Sequence, residues 1–375
     1  MKYIYKKKNY KLFFYVLDAF LSAGVFIAKL FFKKRNTDIK NILVIRIDHI
    51  GDVINASIVL EPIRKTFPFA RIDFLAPSWA YSIVEHNPFI DKVIKFVPPW
   101  FSRPSRGIFA QIKGVAALSK IIKVGGYDAV IDLRGDFRHI LAMFIVRVQC
   151  RVGYGITGGK ALLTNSPEYR DIILHESIRN LELLKSIGVS APSAELKLYF
   201  SQTAENNAKQ ILRDFNIFKK YIVFHMFPGH ESKVWEFEKF FTVMKHVWEQ
   251  KKLIPVIIGG REDREKIEAL IQKSSLNIPR IVNLAGMAGL GEVYYILRGA
   301  DIFIGVDSAP AHLSAIAGAK TIVLFSGINE PRQWAPRASN VKIVFPGSGK
   351  SLANISAKDV CGVIDEIFWG TITEE

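Results

Sequence analysis

The chain has 375 residues, 49% hydrophobic and 23% charged, enough for two domains with sizeable cores; this composition excludes wholesale disorder. Its two cysteines, Cys150 and Cys361, form no CxxC or Cys/His cluster. That argues against a disulfide framework or a structural zinc site and points to a reducing cytoplasm.

The net charge is +16, and half of the excess lies at the start. Residues 1–40 hold ten Lys or Arg against Asp18 and Asp38. Between Lys11 and Lys29 runs LFFYVLDAFLSAGVFIA, residues 12–28. A membrane span needs about 20 apolar residues, and Asp18 interrupts this one. A signal peptide would end in a small-residue cleavage site, whereas this run continues into KLFFKKR. Lysines at both ends suit a helix lying on an anionic membrane surface; a crossing helix and an ordinary buried helix are the alternatives. So much Phe, Leu and Val argues against a nucleic-acid arm. Residues 1–40 are therefore read as a basic, amphipathic, membrane-associating segment.

From residue 41 short apolar runs alternate with helical patterns. NILVIRI (41–47) reads as a buried strand and 53–66 as a helix. RIDFLAP (71–77) and KVIKFV (92–97) are strands, PPWFSRPSRG (98–107) is a loop and 108–123 a helix. YDAVIDL (127–133) is the next strand. A second series starts with the strand YIVFHMF (221–227) and a helix at 236–251. LIPVIIGG (253–260), RIVNLAG (280–286), ADIFIGV (300–306) and KTIVLFS (320–326) are further strands, with helices between them. This βαβα order predicts parallel, helix-covered sheets, hence an α/β fold of two Rossmann-like domains facing a central cleft. The expected boundaries are 41–215 and 216–375.

In open parallel sheets ligands sit at the carboxyl ends of strands, and five such loops carry candidates. DHIGDV lacks the GxGxxG spacing of a dinucleotide site. Its Asp52 stands where a phosphate-binding helix start would want bare N–H groups. Asp48 or Asp52 would cap the helix, or Asp52 would take a proton from a hydroxyl. In VDSAPAHLSAIAG, Asp307 and Ser308 end a strand, and Ala309, Pro310, Ala311 and His312 open a helix of small residues fit to hold a diphosphate. PGHESKVWEF offers Lys233 as a mobile cation, with Trp235 read as packing. GGREDRE offers Glu262 or Asp263 for a ribose, or as compensation of the helix dipole. DLRGDFRH offers Arg134 and Arg138 for an anionic acceptor, or as a surface charge cluster. None of these forms a Ser-His-Asp hydrolase, a Walker A loop or a His-rich metal site.

Four stretches, spread from about 41 to 337, together resemble glycosyltransferase family 9, the bacterial heptosyltransferases of lipopolysaccharide core assembly. They are VIRIDHIGDVINASIVLEPIRKTFP, KVWEFEKF, VIIGGREDRE and GVDSAPAHLSAIAGAKTIVLFSGINEPRQWAP. The resemblance implies a GT-B fold and metal-independent, cofactor-free, inverting transfer of a sugar from a nucleotide donor, usually ADP-heptose. It makes Asp52 the base, Lys233 the donor-phosphate lysine, Glu262 the ribose acid and Asp307 the acid at the sugar. Ser308 to His312 become the donor-phosphate loop. Ala309 departs from the family's glycine in the Asp-Ser/Thr-Gly motif, which bears on donor identity. The implied acceptor is a lipid-linked saccharide at the inner face of the cytoplasmic membrane. Competing readings are a nucleotide-sugar epimerase of the same fold and a non-catalytic membrane-surface binding protein.

Overall fold

The computed structural model describes residues 38–101, 107–169, 173–191, 194–218, 220–274 and 280–369. The amphipathic segment expected at 12–28 lies outside them. No helix among the described residues is long and apolar enough to cross a membrane.

The chain forms two compact units that divide between Tyr199 and Phe200. The first contains β1 (Asn41–Ile45), α1 (Ile50–Ala56), α2 (Leu60–Thr66), β2 (Arg71–Ala76), β3 (Lys92–Lys95), α3 (Ile108–Gly125), β4 (Ala129–Asp132), α4 (Phe137–Ile145), β5 (Cys150–Gly153) and α5 (Glu176–Leu184). All five strands pair in parallel, in the order β3-β2-β1-β4-β5. β1 is central because Ile42 to Ile45 are apolar on both faces and wholly buried, as a helix-covered parallel strand must be. Val44 lies beside Phe74 of β2 and Ile131 of β4. Leu118 and Ile122 of α3 and Ile140 and Met143 of α4 cover one face. The helix expected at 53–66 starts earlier and is broken by a 3₁₀ turn at Ser57–Val59.

The second unit holds α6 (Gln202–Asp214), β6 (Tyr221–His225), α7 (Phe237–Lys251), β7 (Ile254–Ile258), α8 (Arg264–Lys273), β8 (Val282–Asn283), α9 (Leu290–Arg298), β9 (Ile302–Val306), α10 (Ala309–Ala317), β10 (Lys320–Leu324), α11 (Pro331–Trp334), β11 (Val341–Val344) and α12 (Ala357–Trp369). Its sheet runs β11-β10-β9-β6-β7-β8, again parallel. The boundary expected at 215 therefore moves to 199/200. The reason is α6: its Ala204 and Ala208 are buried, and Gly291 of α9 packs so closely that a Cβ there would lie 3.0 Å from that of Ala204.

Both sheets reverse their order at one place. In the first, the chain leaves β1 on one side and returns to its other side as β4; in the second, β6 and β9 are adjacent in the same way. Such switch points open a crevice at the carboxyl ends of the strands. The loops after β1 and β4, and those after β6 and β9, carry the candidates, apart from Glu262 after β7.

Candidate active site

In the first unit the organising residue is Arg46, which sequence reasoning left inside a strand. It directly follows β1 and is 3% exposed. A buried guanidinium must be paired, and three carboxylates meet it. Its Nη2 donates to Asp52 Oδ1 at 2.7 Å and lies 3.5 Å from Asp48; its Nη1 lies 3.1 Å from Glu176 Oε1. Nη1 also donates to the Leu133 carbonyl. Burial alone would lower the affinity of Arg46 for its proton, but the charges of Asp52, Asp48 and Glu176 override it and hold the guanidinium above its ordinary value. Asp52 caps nothing. The α1 start has no side-chain cap, and the Asp52 carboxylate is turned to Arg46. Among the described residues only Oδ1 of Asp52 is engaged. Asp48 is pushed above the usual carboxylate range, first by burial and then by the Asp52 charge, against the pull of Arg46 and Arg134.

Arg134 and Arg138, expected as anion ligands, are drawn into this cluster. Arg134 Nη1 lies 3.1 Å from Asp48 Oδ1 and donates to the Ile47 carbonyl. Arg138 forks onto Asp136 at 2.8 and 2.5 Å, reaches Gln111 at 2.9 Å and stacks on Trp100. Burial works against the Asp136 charge, yet the Arg138 bond and neighbouring cations hold its carboxyl far below the usual range. The two arginines are thus already paired, and neither stands as a free cation. Beneath them His139 and Asp132 are fully buried and hydrogen-bonded at 2.9 Å. Asp132 also accepts the backbone N–H groups of Arg134 and Asp136, which shapes this loop.

In the second unit Lys233 and Asp307 meet at the β6/β9 switch point. Lys233 Nζ donates to Asp307 Oδ2 at 2.5 Å, and Asn329 Nδ2 donates to the same oxygen at 3.0 Å. Asn329 carried no signal in the sequence; it comes from the loop after β10. Ser308 occupies the cap position of α10, but its hydroxyl lies 3.0 Å from the Val306 carbonyl and 3.0 Å from His225 Nδ1. The helix start is therefore left without a side-chain cap. Ala309 and Pro310 form its first turn, with Ala311 and His312 buried behind them. Burial lowers His225 to about 4, so the imidazole is neutral at pH 7. Trp235 packs, as expected: it is fully buried, and its N–H donates to the Ile355 carbonyl.

Glu262 lies in the exposed turn after β7. That turn is fixed from two sides. Asp263 accepts the Gly260 N–H at 2.8 Å. Gly286, at φ +71°, brings the end of β8 so close that a Cβ would sit 2.8 Å from Arg261 Cα. Each unit thus presents one prepared edge: a held carboxylate in the first, and a cation, an acid and an open helix start in the second.

A family model described as glycosyltransferase family 9 (heptosyltransferase) matches residues 115–360, well over half of the chain. Lipopolysaccharide heptosyltransferase 3 of Escherichia coli K12 is 24% identical over 305 residues, covering 80% of this chain and 86% of its own. In three dimensions the chain is similar to a glycosyl transferase of family 9 from Veillonella parvula, with a TM-score of 0.76 and 20% identity over 90% of this chain and 99% of that one. It is also similar to E. coli ADP-heptose lps heptosyltransferase II, with a TM-score of 0.71 and 18% identity over 88% and 98%. The shared fold is the GT-B architecture, and the chain belongs to glycosyltransferase family 9 and is a glycosyltransferase.

Proposed function

We propose that the protein transfers a heptose from ADP-heptose to a lipid-linked saccharide such as lipopolysaccharide core, with inversion and without a metal ion or cofactor. The observation that carries the reading is Asp52: Arg46 fixes one carboxylate oxygen at 2.7 Å and leaves the other for a proton. The names of the E. coli relatives support heptose as the sugar, ADP-heptose as the donor and lipopolysaccharide as the acceptor class.

The chemistry follows from the residues. The acceptor hydroxyl attacks the anomeric carbon as Asp52 takes its proton. The new C–O bond forms on the face opposite the breaking C–O bond to phosphate, so the configuration inverts. The leaving diphosphate gathers negative charge. Lys233 would trade its Asp307 contact for that charge, and the uncapped N–H of Ala309 at the helix start would bind it, since Pro310 has no N–H and that of Ala311 donates to the Ser308 carbonyl. His312 lies in the same first turns of the helix. Asp307, freed from Lys233, would take sugar hydroxyls, and Glu262 would take the ribose. Arg134 and Arg138 would hold the acceptor's anionic groups only through donors left over from their carboxylate pairs. The place of work under this reading is the inner face of the cytoplasmic membrane, with residues 1–40 as an anchor on anionic lipid.

The test is ADP release from ADP-heptose in the presence of truncated lipopolysaccharide, with EDTA added, alongside UDP-, GDP- and CMP-sugars. The reading predicts turnover with ADP-heptose, unchanged by EDTA, and a product of inverted anomeric configuration. Turnover with another nucleotide sugar alone would discard heptose; loss on chelation would discard the metal-free scheme.

A further inference from the structure

We infer that the outer face of α3 is a docking surface for an anionic phospholipid bilayer. The helix buries Gly114, Leu118 and Ile122. Its opposite stripe, at helical spacing, is Phe109, Lys113, Ala116, Lys120 and Lys123, all exposed, flanked by Ile112 and Val124. Ile108, Phe109 and Ile112 are 71%, 80% and 59% exposed. A soluble helix normally turns such side chains inward, and a cluster of them on the surface marks an interaction site.

Charge selects the partner. From Gly107 to Tyr127 there is no acidic residue. The next acids are spoken for: Asp128 accepts the N–H groups of Lys40 and Asn41, and Asp132 and Asp136 are buried. Three lysines therefore face outward with no carboxylate on their helix to answer them. Aliphatic and aromatic side chains at headgroup depth, ringed by lysines, are the composition that binds an anionic bilayer. A nucleic-acid partner would ask for arginines and stacking rings along a groove.

The position gives the contact a purpose. Gln111, one turn into α3, binds Arg138, which with Arg134 shares Asp136; Arg134 in turn holds Asp48 beside Asp52. The apolar end of α3 thus lies at the same sheet edge as Asp52. A bilayer met there would bring a lipid-linked acceptor to the base. The lipid contact itself rests neither on heptose as the sugar nor on residues 1–40, and its purpose rests on the lipid-linked acceptor proposed above.

The experiment is flotation of the full chain with vesicles of phosphatidylcholine alone and of phosphatidylcholine mixed with phosphatidylglycerol. Two variants are compared with the parent: Lys113→Glu/Lys120→Glu/Lys123→Glu, and Phe109→Ser/Ile112→Ser. The parent should bind the phosphatidylglycerol vesicles more tightly. The charge variant should lose at least about tenfold of that binding, and the apolar variant should bind both vesicle types less. Parental binding by both variants would overturn the proposal and leave attachment to residues 1–40. No vesicle binding by the parent would overturn it too. So would a change of oligomeric state in the variants, read by light scattering, which would make this face a contact between copies. ADP-induced thermal stabilisation, measured on the same samples, tests the donor site separately.

Discussion

Replacing Arg46 with Met removes one buried positive charge and leaves its length filled. Among the described residues, Asp52, Asp48 and Glu176 then face one another with Arg134 and Arg179 to compensate; Arg179 sits 3.5 Å from Glu176. Removing one partner of a buried ion pair costs about 3–5 kcal/mol, a large part of an ordinary domain's stability of about 5–15 kcal/mol. Here three carboxylates lose the same partner, so the upper part of that range is expected near neutral pH. The sign with pH follows. Without Arg46 the Asp48 carboxyl, already raised by burial and the Asp52 charge, loses a cation that pulls it down, and in the folded state it binds its proton more tightly still. A raised folded value favours folding at low pH, and that advantage is lost as pH rises through it. Arg46→Met should therefore be hurt less at pH 5 than at pH 8. Urea denaturation of parent and variant at both pH values reads the difference. A cost below about 1 kcal/mol at pH 8, where surface pairs fall, would refute the reasoning. So would a cost that grows as pH drops.

Three further outcomes follow from the second unit. Lys233→Ala should weaken ADP binding about tenfold to a hundredfold, the worth of a charge-assisted hydrogen bond, and lower the melting temperature, because the buried Asp307 carboxylate loses its cation; calorimetric titration and a thermal melt check the two. His225 is held neutral with its value lowered to about 4. The unfolded chain therefore takes up a proton first, and stability is lost as pH falls from about 6.5 to 4, by up to about 3 kcal/mol. His225→Gln should flatten that part of the stability–pH curve. Gly286→Ala, at φ +71° against Arg261, should cost about 1–3 kcal/mol and, by moving the Glu262 turn, weaken ADP binding, both read by thermal melts with and without ADP.

The buried strands were legible because their apolar runs are continuous; β1, β2, β6, β7, β9 and β10 fall within the stretches expected. β5 and β11 were not. Each is a four-residue edge strand, only partly buried and carrying Arg151 or Lys342, so neither period nor apolarity marks it. The domain boundary was misplaced because the identity of α6's partner is a matter of packing: two alanines and a glycine carry no sequence signal of which unit they join. The loops of the site were legible because strand ends are predictable. Their wiring was not. Arg46 looks like one charge inside VIRID, and its need for carboxylates could have been argued from burial alone. That Glu176 would be among them, 130 residues away, could not. Nor could Arg134 and Arg138 be recognised as paired, because Asp48 reaches Arg134 from the loop after β1 and the Arg138–Asp136 pair depends on how its own loop turns.

The central claim is that Asp52 removes the acceptor proton. The most direct measurement is the initial rate of ADP release from ADP-heptose with saturating truncated lipopolysaccharide, for Asp52→Asn against the parent, with ADP binding measured in parallel. The account predicts a fall in kcat of about 10²–10⁴-fold, the usual contribution of a general base, with ADP affinity unchanged. Parental turnover by Asp52→Asn would contradict it.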